Sequence, residues 1–365
     1  MSYKKQIENL TSNISSALID FSEERTKGRM PTQVSSNFIT NKEQGDWAEQ
    51  LVLSAINTTS KNYIAVQYGK SDDLIAGDNG FSEFYEEYQQ ELDDIGKRPD
   101  LLIFKKDIYS SKWGNDISKF SQEELNNIVP QAIAGLEIRS SAFLIEKYEA
   151  EMNIRINNAI NKAMNAKNII LSDYKDLLTG SREKWIKILE EITEETLDSI
   201  DFRRPSLSST KRLIELSNHF KDLKDAIKEI HKRDFLSITP KVEDLKVVNR
   251  WIEKYNVPHY YFQVFFDKVY GISFEDILKL ITDSDKEGVD YFIESDTKNQ
   301  NKTTIKINSK LGQEVACKID MPEHKSKMRE LARGRLLFYI IFNGGKAYLD
   351  INNLLKLLKI DEKEF

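Results

Sequence analysis

Apolar positions recur at helical or alternating spacing along most of the chain. Near the start, Tyr3–Glu23 carries apolar residues close to a helical period, and a second helix is predicted after a cap at Asn41. Alternation predicts a strand over Tyr63–Tyr68, and a further helix is expected over Glu83–Leu92. The first third of the chain therefore predicts both helices and strands.

Two apolar runs in the next part contain charged residues that need an explanation. A turn signal at Gly96 leads into the apolar run Leu101–Phe104, which predicts a strand with Asp100 at its entrance. The run 132–143 otherwise favours burial, but it contains Glu137 and Arg139. Because successive side chains of a strand point to opposite faces, this acid and this base are predicted to project from the same face.

The middle of the chain, from 145 to 234, shows helical spacing almost throughout, with a break at 203–210. We interpret it as a helical insertion. Three roles are open for it: a clamp around a bound partner, a dimerisation arm, or a bundle that supports the sheet.

The last third returns to strand patterns. Val257–Tyr270 is the most aromatic run and predicts a central strand buried on both faces, in which Gln263 is the polar exception. The other predicted elements are a strand at Phe235–Thr239, a helix at Phe274–Ile281, a meander of Val289–Glu294, Thr303–Asn308 and Glu314–Ile319, a helix at Glu323–Arg333, a hairpin around Asn343-Gly344-Gly345 and a helix at Leu354–Ile360.

Composition narrows the class of protein. The chain has 365 residues, 40% of them hydrophobic, but no apolar run near the roughly 20 residues that cross a bilayer. The first residues lack the apolar segment of a signal peptide, so we expect a cytoplasmic protein with no membrane contact. A single cysteine, Cys317, and four scattered histidines make a structural zinc site unexpected.

Charge is unevenly distributed. The formal net charge is -6, yet residues 297–335 contain ten Lys and Arg against four acids. Residues 82–94 are acidic, which predicts a polarised molecule whose basic face suits DNA. The alternative is a solvated surface with charges sorted by chance. The candidate phosphate contacts are Lys298, Lys302, Lys306 and Lys318.

Asp100 and Glu137 are the candidate catalytic residues. Two carboxylates on neighbouring strands form a cation site, and Mg²⁺ is commonly held by one or two carboxylates together with water and phosphate oxygens. Such a site can activate water for phosphodiester hydrolysis. A long polar excursion, 107–127, separates the two strands. Its Lys112 and Trp113 either contact DNA or, in the case of the Trp, anchor the loop.

These residues carry a family resemblance. Pro99-Asp100 followed by Glu137-X-Arg139 resembles the signature of the PD-(D/E)XK nucleases, with Arg where Lys is usual. The blocks Ser237–Leu245, 251–255 and Val257–Gly271 look like the corresponding region of AccI-type type II restriction endonucleases. The resemblance spans the chain from about Gly45 to the C-terminus.

The resemblance implies an α/β fold, namely a restriction-endonuclease-like mixed sheet flanked by helices with a large helical insertion. We expect a catalytic core at 1–144 and 235–295, the insertion at 145–234, and a basic β-rich part at 296–365 that packs on the core and contacts DNA. The implied activity is Mg²⁺-dependent cleavage of both strands of duplex DNA at a short site. A homodimer is expected, because symmetric sites suit two-fold proteins.

Several residue roles follow from the resemblance. Glu49, on the first core helix, is expected to support the metal shell, or else to be an exposed helical glutamate. Arg139 can stabilise charge but cannot act as a base, since its guanidinium stays protonated. Lys241 is expected either to reach Glu137 and take the role of the usual lysine or to lie at the surface. Glu243 and Asp244 are interpreted as first-turn helix acids.

Two other functions remain compatible with the sequence. One is a structure-selective repair or recombination nuclease of the same fold. The other is a DNA-binding module that has lost cleavage, which the Arg139 substitution permits.

Overall fold

The structure is a computed structural model that describes residues 2–25, 27–70, 74–296, 302–331 and 334–361. The chain divides into two compact units, one formed by residues 1–145 and 236–365 and the other by residues 146–235. No helix within these described ranges is long and apolar enough to cross a membrane.

The larger unit is built on a seven-stranded mixed sheet. Its strands in spatial order are β1 (Tyr63–Gln67), β2 (Leu101–Lys105), β3 (Ala134–Ser140), β5 (His259–Val264), β6 (Val269–Ser273), β9 (Gln313–Asp320) and β12 (Lys346–Leu349). β3 and β5 pair in parallel, and the other neighbours pair antiparallel. The predicted α/β class, with a mixed sheet flanked by helices, is confirmed.

Helices cover both faces of this sheet, so its central strands are buried on both sides. Apolar residues of α2 (Ser36–Thr59) and α10 (Ile351–Leu358) pack with Leu136 and Ile138 on one face. On the other face, α1 (Tyr3–Ser12), α8 (Val242–Tyr255) and α9 (Phe274–Ile281) pack with Tyr261 and its neighbours. Residues of β3 that alternate along the strand therefore face different cores.

The first two helices begin and end at other residues than predicted. α2 begins at Ser36 and not after Asn41, because the Ser35 side chain accepts a hydrogen bond from the Phe38 amide at 3.1 Å and caps the helix. α1 ends at Ser12, whereas a helix to Glu23 was expected. The later apolar residues Ile14 and Ile19 are still buried, but turns hold them.

The aromatic run forms two strands, so the prediction of one central strand over Val257–Tyr270 is wrong. β5 and β6 pair antiparallel, and the Phe265 amide closes the turn on the Lys268 carbonyl at 2.8 Å. Both strands are fully buried. Apolar composition alone cannot locate a turn that is made of Phe-Phe-Asp-Lys.

The predicted three-stranded meander is also wrong. β7 (Tyr291–Asp296) and β8 (Lys302–Asn308) form a separate sheet with the short strand β4 (Ser237–Ile238). β9 instead lies between β6 and β12 in the main sheet. Each strand alternates as expected, but pairing depends on partners that are distant in sequence.

Near the C-terminus, a predicted helix is a strand. β10 (Glu323–Glu330) pairs over its whole length with β11 (Leu336–Asn343), so the helix at Glu323–Arg333 is wrong. The predicted hairpin at Asn343-Gly344-Gly345 is wrong as well, because β11 pairs with β10 whereas β12 pairs with β9. The two glycines, with φ of 69° and 86°, let the chain turn from one sheet to the other.

Of the remaining predicted helices, α3 (Phe81–Asp94) is present with shifted ends and α9 lies at its predicted residues. α4 (Gln122–Ile128) was not predicted: it begins within the segment that was expected to be a polar excursion, where Ser121 and Glu124 form a capping box. The smaller unit is helical, as its spacing predicted. α5 (Ile145–Asp173), α6 (Lys184–Glu191) and α7 (Lys211–Ile230) supply it, and residues such as Leu189, Leu216 and Phe220 form its own buried core.

Candidate active site

Strand register brings the two candidate carboxylates to the same end of a strand pair. β2 and β3 are antiparallel, and Leu101 lies opposite Leu136. Asp100 immediately precedes Leu101 and Glu137 immediately follows Leu136, so this register brings the two acids to the same end of the paired segment. The Asp100 Oδ2 atom accepts a hydrogen bond of 2.6 Å from the Ile138 amide, so the carboxylate of Asp100 is fixed against β3.

The backbone around Asp100 is equally constrained. Its carbonyl accepts hydrogen bonds from the amides of Tyr68 and Gly69 at 2.9 and 3.0 Å. A Cβ atom on Gly69 would lie 3.0 Å from the Asp100 Cα, so a side chain here would crowd the site. The loop after β1 therefore holds Asp100 from the side opposite to β3.

Glu137 is buried between two cationic side chains, with 2% of its side chain exposed. The Lys97 Nζ and the Arg139 Nη2 lie 2.6 and 2.7 Å from its Oε1 atom. Its Oε2 atom is buried and accepts no hydrogen bond from the described residues. One oxygen of Glu137 is thus saturated by cations, whereas the other is available to a ligand.

Asp244 supplies a second carboxylate to the same two cations. It lies in the first turn of α8, and its Oδ2 atom is 3.0 Å from Lys97 Nζ and 3.2 Å from Arg139 Nη2. The Lys97 amide also donates a 2.9 Å hydrogen bond to the Val247 carbonyl of α8. Side chain and backbone together fix Lys97 between β3 and this helix.

Gly96 permits this close approach to α8. Its φ is 85°, and a Cβ atom would lie 2.2 Å from the Val247 carbonyl oxygen and 2.6 Å from the Trp251 amide nitrogen. Such a conformation is strained for an L residue, and the clash adds to the strain. Only glycine fits at this position.

We expect Gly96→Ala to lower the free energy of unfolding by at least about 2 kcal/mol, measured in urea by intrinsic fluorescence. Gly45→Ala is the matched control: it lies within α2, nothing lies within 4 Å of its Cβ position, and a gain of about 0.5–1 kcal/mol is expected from helix propensity. Equal stability of the two variants would contradict the docking of the Gly96 turn on α8.

Burial and repulsion shape the ionisation of the acidic cluster. Burial, followed by the charge of Glu137, raises the pKa of Asp100 to about 7. Burial, followed by the charges of Asp100 and Asp46, raises the pKa of Glu49 to about 9. Burial would also raise the pKa of Glu137, but the charges of Lys97 and Arg139 outweigh it and hold that pKa below its usual range.

These groups open into one cleft of about 1120 Å³. Glu49 of α2, Asp100, Glu137, Lys97 and Arg139 all line it. Glu49 is half-buried there, so it is not an exposed helical glutamate. The cleft is large enough to admit part of a polymer backbone beside the carboxylates.

The donor set fits a hard divalent cation held by two carboxylates. Within the described ranges, no group of three or more His, Cys, Asp and Glu side chains is arranged to hold a metal ion. Asp100 and Glu137 meet the smaller requirement of Mg²⁺, which takes one or two carboxylates and completes its shell with water and phosphate. The unpartnered Glu137 Oε2 and the raised pKa of Asp100 are what a carboxylate pair shows before a cation balances it.

The neighbouring strand adds polar groups to the same face. Tyr261 and Gln263 of β5 lie opposite Glu137 and Arg139 in the parallel register. Gln263 donates a 3.1 Å hydrogen bond to the Ser141 hydroxyl, while its Oε1 atom and the Tyr261 hydroxyl have no partner among the described residues. The polar exception in the aromatic run therefore lies beside Arg139.

Of the other predicted residues, Lys241 acts on the cluster through Asp244, and the rest lie on other elements or outside the described parts. Lys241 immediately precedes α8, and its charge helps to hold the pKa of Asp244 low. Lys318 is exposed on β9, 3.2 Å from Asp320, and Lys306 lies on β8 in the separate sheet. Lys302 begins β8, and Lys298 lies outside the described residues. Trp113 packs against Phe104 with ring centres 5.3 Å apart, so it anchors its loop.

No role was predicted for Lys97 from the sequence, which indicated only the helix-terminal position of Asp244 and not its contacts with the site. Lys97 lies three residues before Asp100, so its position beside the Pro-Asp pair was a usable signal. Asp244 had no such signal. It is a first-turn acid of α8, as predicted, but it also faces the site from 144 positions after Asp100.

A mixed sheet with two carboxylates and two cationic side chains in an open cleft is the arrangement of a nuclease that cuts phosphodiester bonds. A family model described as AccI restriction endonuclease matches residues 1–365, and the chain belongs to the AccI restriction endonuclease family. It is a type II restriction endonuclease, a site-specific deoxyribonuclease that acts on DNA. No curated protein and no solved structure matches the chain. The predicted resemblance and the type II restriction activity are confirmed, whereas the dependence on Mg²⁺ stays a prediction.

Proposed function

We propose that this endonuclease hydrolyses both strands of duplex DNA with Mg²⁺ held by Asp100 and Glu137. The observation that carries the proposal is the register of β2 and β3, which brings the two acids to the same end of the paired segment, while one Glu137 oxygen has no hydrogen-bond partner among the described residues. When bound, the ion supplies Lewis acidity toward the phosphate and an acidified water as nucleophile. Glu49 belongs to the same cluster, because the charge of Asp100 contributes to raising the pKa of Glu49.

The chain's own cations complete the site. We assign the role of the usual lysine to Lys97, because its ammonium contacts Glu137 directly, whereas Lys241 acts on Asp244. An ammonium beside the attacked phosphate stabilises the negative charge that develops on it. Arg139 contributes a fixed positive charge and no proton transfer.

Incubation of the enzyme with plasmid DNA and Mg²⁺ tests the proposed reaction. We expect discrete fragments that carry double-strand ends at a recurring sequence, and no cutting when EDTA removes divalent ions. Cutting at junctions or flaps without sequence preference, or undiminished cutting in EDTA, would contradict it.

We further propose a homodimer in the cytoplasm, in which each protomer cuts one strand. The support is the chemistry of a two-strand cut: each protomer brings one carboxylate pair, and a two-fold dimer matches a symmetric site. Sedimentation of the enzyme with a short cognate duplex tests the dimer. A complex of one 42.4 kDa chain per duplex that still cuts both strands would contradict it.

The basic residues of the C-terminal third are proposed to contact DNA phosphates. Lys318 has 66% of its side chain exposed, and Lys306 lies on the separate sheet of the same unit; Lys298 and Lys302 complete the proposed set. Each phosphate contact contributes a slope of about -0.9 to the plot of log affinity against log salt. Lys318→Gln should therefore make the slope shallower by about one contact, and an unchanged slope would remove Lys318 from the interface.

A further inference from the structure

Four charged side chains at the site alternate in sign around a closed ring. Glu137 Oε1 contacts Lys97 Nζ and Arg139 Nη2, and both of these atoms contact Asp244 Oδ2 at 3.0 and 3.2 Å. The four residues come from the turn before Asp100, from β3 and from α8. The ring carries no net charge.

Without Asp244, two positive groups would share a single oxygen of Glu137 at 2.6 and 2.7 Å. Two cations that contact the same oxygen lie close to each other and repel, and the repulsion is stronger where little water screens it. Lys97 and Glu137 expose 16% and 2% of their side chains, so little solvent screens them. Asp244 offsets this repulsion and fixes both cations over Glu137.

A second anion can interact with Asp244 and Arg139, because both side chains are partly exposed to solvent. The side chain of Asp244 is 22% exposed and that of Arg139 is 28% exposed. A DNA phosphate that enters the cleft is an anion, so it is attracted by the cations that Asp244 holds and is repelled by Asp244 itself. One carboxylate thereby has opposite effects on binding and on turnover.

We propose that Asp244 is a positioning residue for DNA cleavage, which acts by orienting Lys97 and Arg139 over Glu137 and weakens phosphate binding while doing so. The inference rests on the proposed Asp100 and Glu137 site. It assigns a role in the reaction to α8, a helix that follows the insertion in the chain.

The variant Asp244→Asn keeps the size of the side chain and removes its charge. We expect the single-turnover cleavage rate with Mg²⁺ to fall about 10- to 100-fold, the usual effect of misplaced reacting groups. We expect cognate duplex without divalent ions to bind equally well or up to about fivefold more tightly, since the substitution removes a negative charge that partly neutralises Lys97 and Arg139 of the cleft. Asp244→Glu, which restores the carboxylate, should cut faster than Asp244→Asn.

Glu243→Gln is the matched control. Glu243 lies in the same first turn of α8, so its charge interacts equally with the helix dipole, but it accepts a 2.8 Å hydrogen bond from the Thr303 amide. It should leave both cleavage and binding within about twofold of wild type, as expected for a substitution away from the site.

The double variant Lys97→Met with Asp244→Asn tests whether Asp244 acts through Lys97. If it does, we expect the double variant to cut at no less than about half the rate of Lys97→Met alone, because the effects of substitutions at coupled residues are not additive. Additive losses both in this double variant and in Arg139→Met with Asp244→Asn, wild-type cutting by Asp244→Asn, or parallel losses of cutting and DNA binding would each overturn this inference alone. A wild type that makes no cuts would overturn the proposed site as well.

Discussion

Asp100→Asn is expected to lower the single-turnover cleavage rate by at least about 1000-fold, which corresponds to about 4 kcal/mol of lost transition-state stabilisation. The amide cannot supply the negative oxygen that a divalent cation requires. The fold should be retained, since an amide oxygen can still accept the 2.6 Å hydrogen bond from the Ile138 amide. Cleavage of a labelled cognate duplex with excess enzyme measures the rate.

Binding and a second acid serve as controls for Asp100→Asn. Affinity for duplex DNA should stay within about fivefold of wild type, because the proposed phosphate contacts are made by lysines elsewhere on the surface. Asp46→Asn should cut normally, since Asp46 lines the same cleft but is 51% exposed and pairs with Lys42. If Asp100→Asn cuts as fast as Asp46→Asn, Asp100 is not a metal ligand.

Lys97→Met is expected to lower the cleavage rate by about 100- to 1000-fold, the usual loss when one donor to a developing oxyanion is removed. The Lys97 ammonium lies 2.6 Å from Glu137, and replacing it with the uncharged methionine side chain removes that positive charge from beside the proposed metal site. Lys241→Met should stay within about threefold of wild type, as its charge influences Asp244. The same single-turnover assay measures both variants.

The comparison of these two lysines decides which one replaces the usual third signature residue. A large loss in Lys241→Met with near-normal cutting by Lys97→Met would reverse the assignment. Thermal melting of both variants is the control, because Lys97 also stabilises buried Glu137, and loss of one partner of a buried ion pair is destabilising. Cognate binding at wild-type affinity identifies a folded variant.

Local patterns predicted the parts of the fold that depend on short stretches of chain. β2 and β3 follow from two apolar runs, and α9 occurs at Phe274–Ile281 as its spacing indicated. The prediction for β10 was wrong because its polar, charged sequence has helix propensity, whereas its strand conformation comes from pairing with β11. Tertiary pairing overrides such weak preferences.

The same limit applies to the site. Alternation along β3 predicted that Glu137 and Arg139 share a face, and their 2.7 Å contact agrees with this. Asp100 was found because it opens a strand. Asp244 could not be found, since a first-turn acid has a sufficient local explanation, and its contact with Lys97 depends on how α8 docks. The sequence predicts which side chains of a strand share a face, whereas it does not predict how a distant helix docks.

Asp100 and Glu137 are proposed to bind one divalent cation beside the cut phosphate. Anomalous diffraction from crystals of the enzyme with cognate duplex and Mn²⁺ would locate that cation. We expect a manganese peak within ligating distance of carboxylate oxygens from both residues, and its loss in Asp100→Asn. A peak held by other side chains, or one that contacts neither acid, would show that these two residues are not the metal ligands.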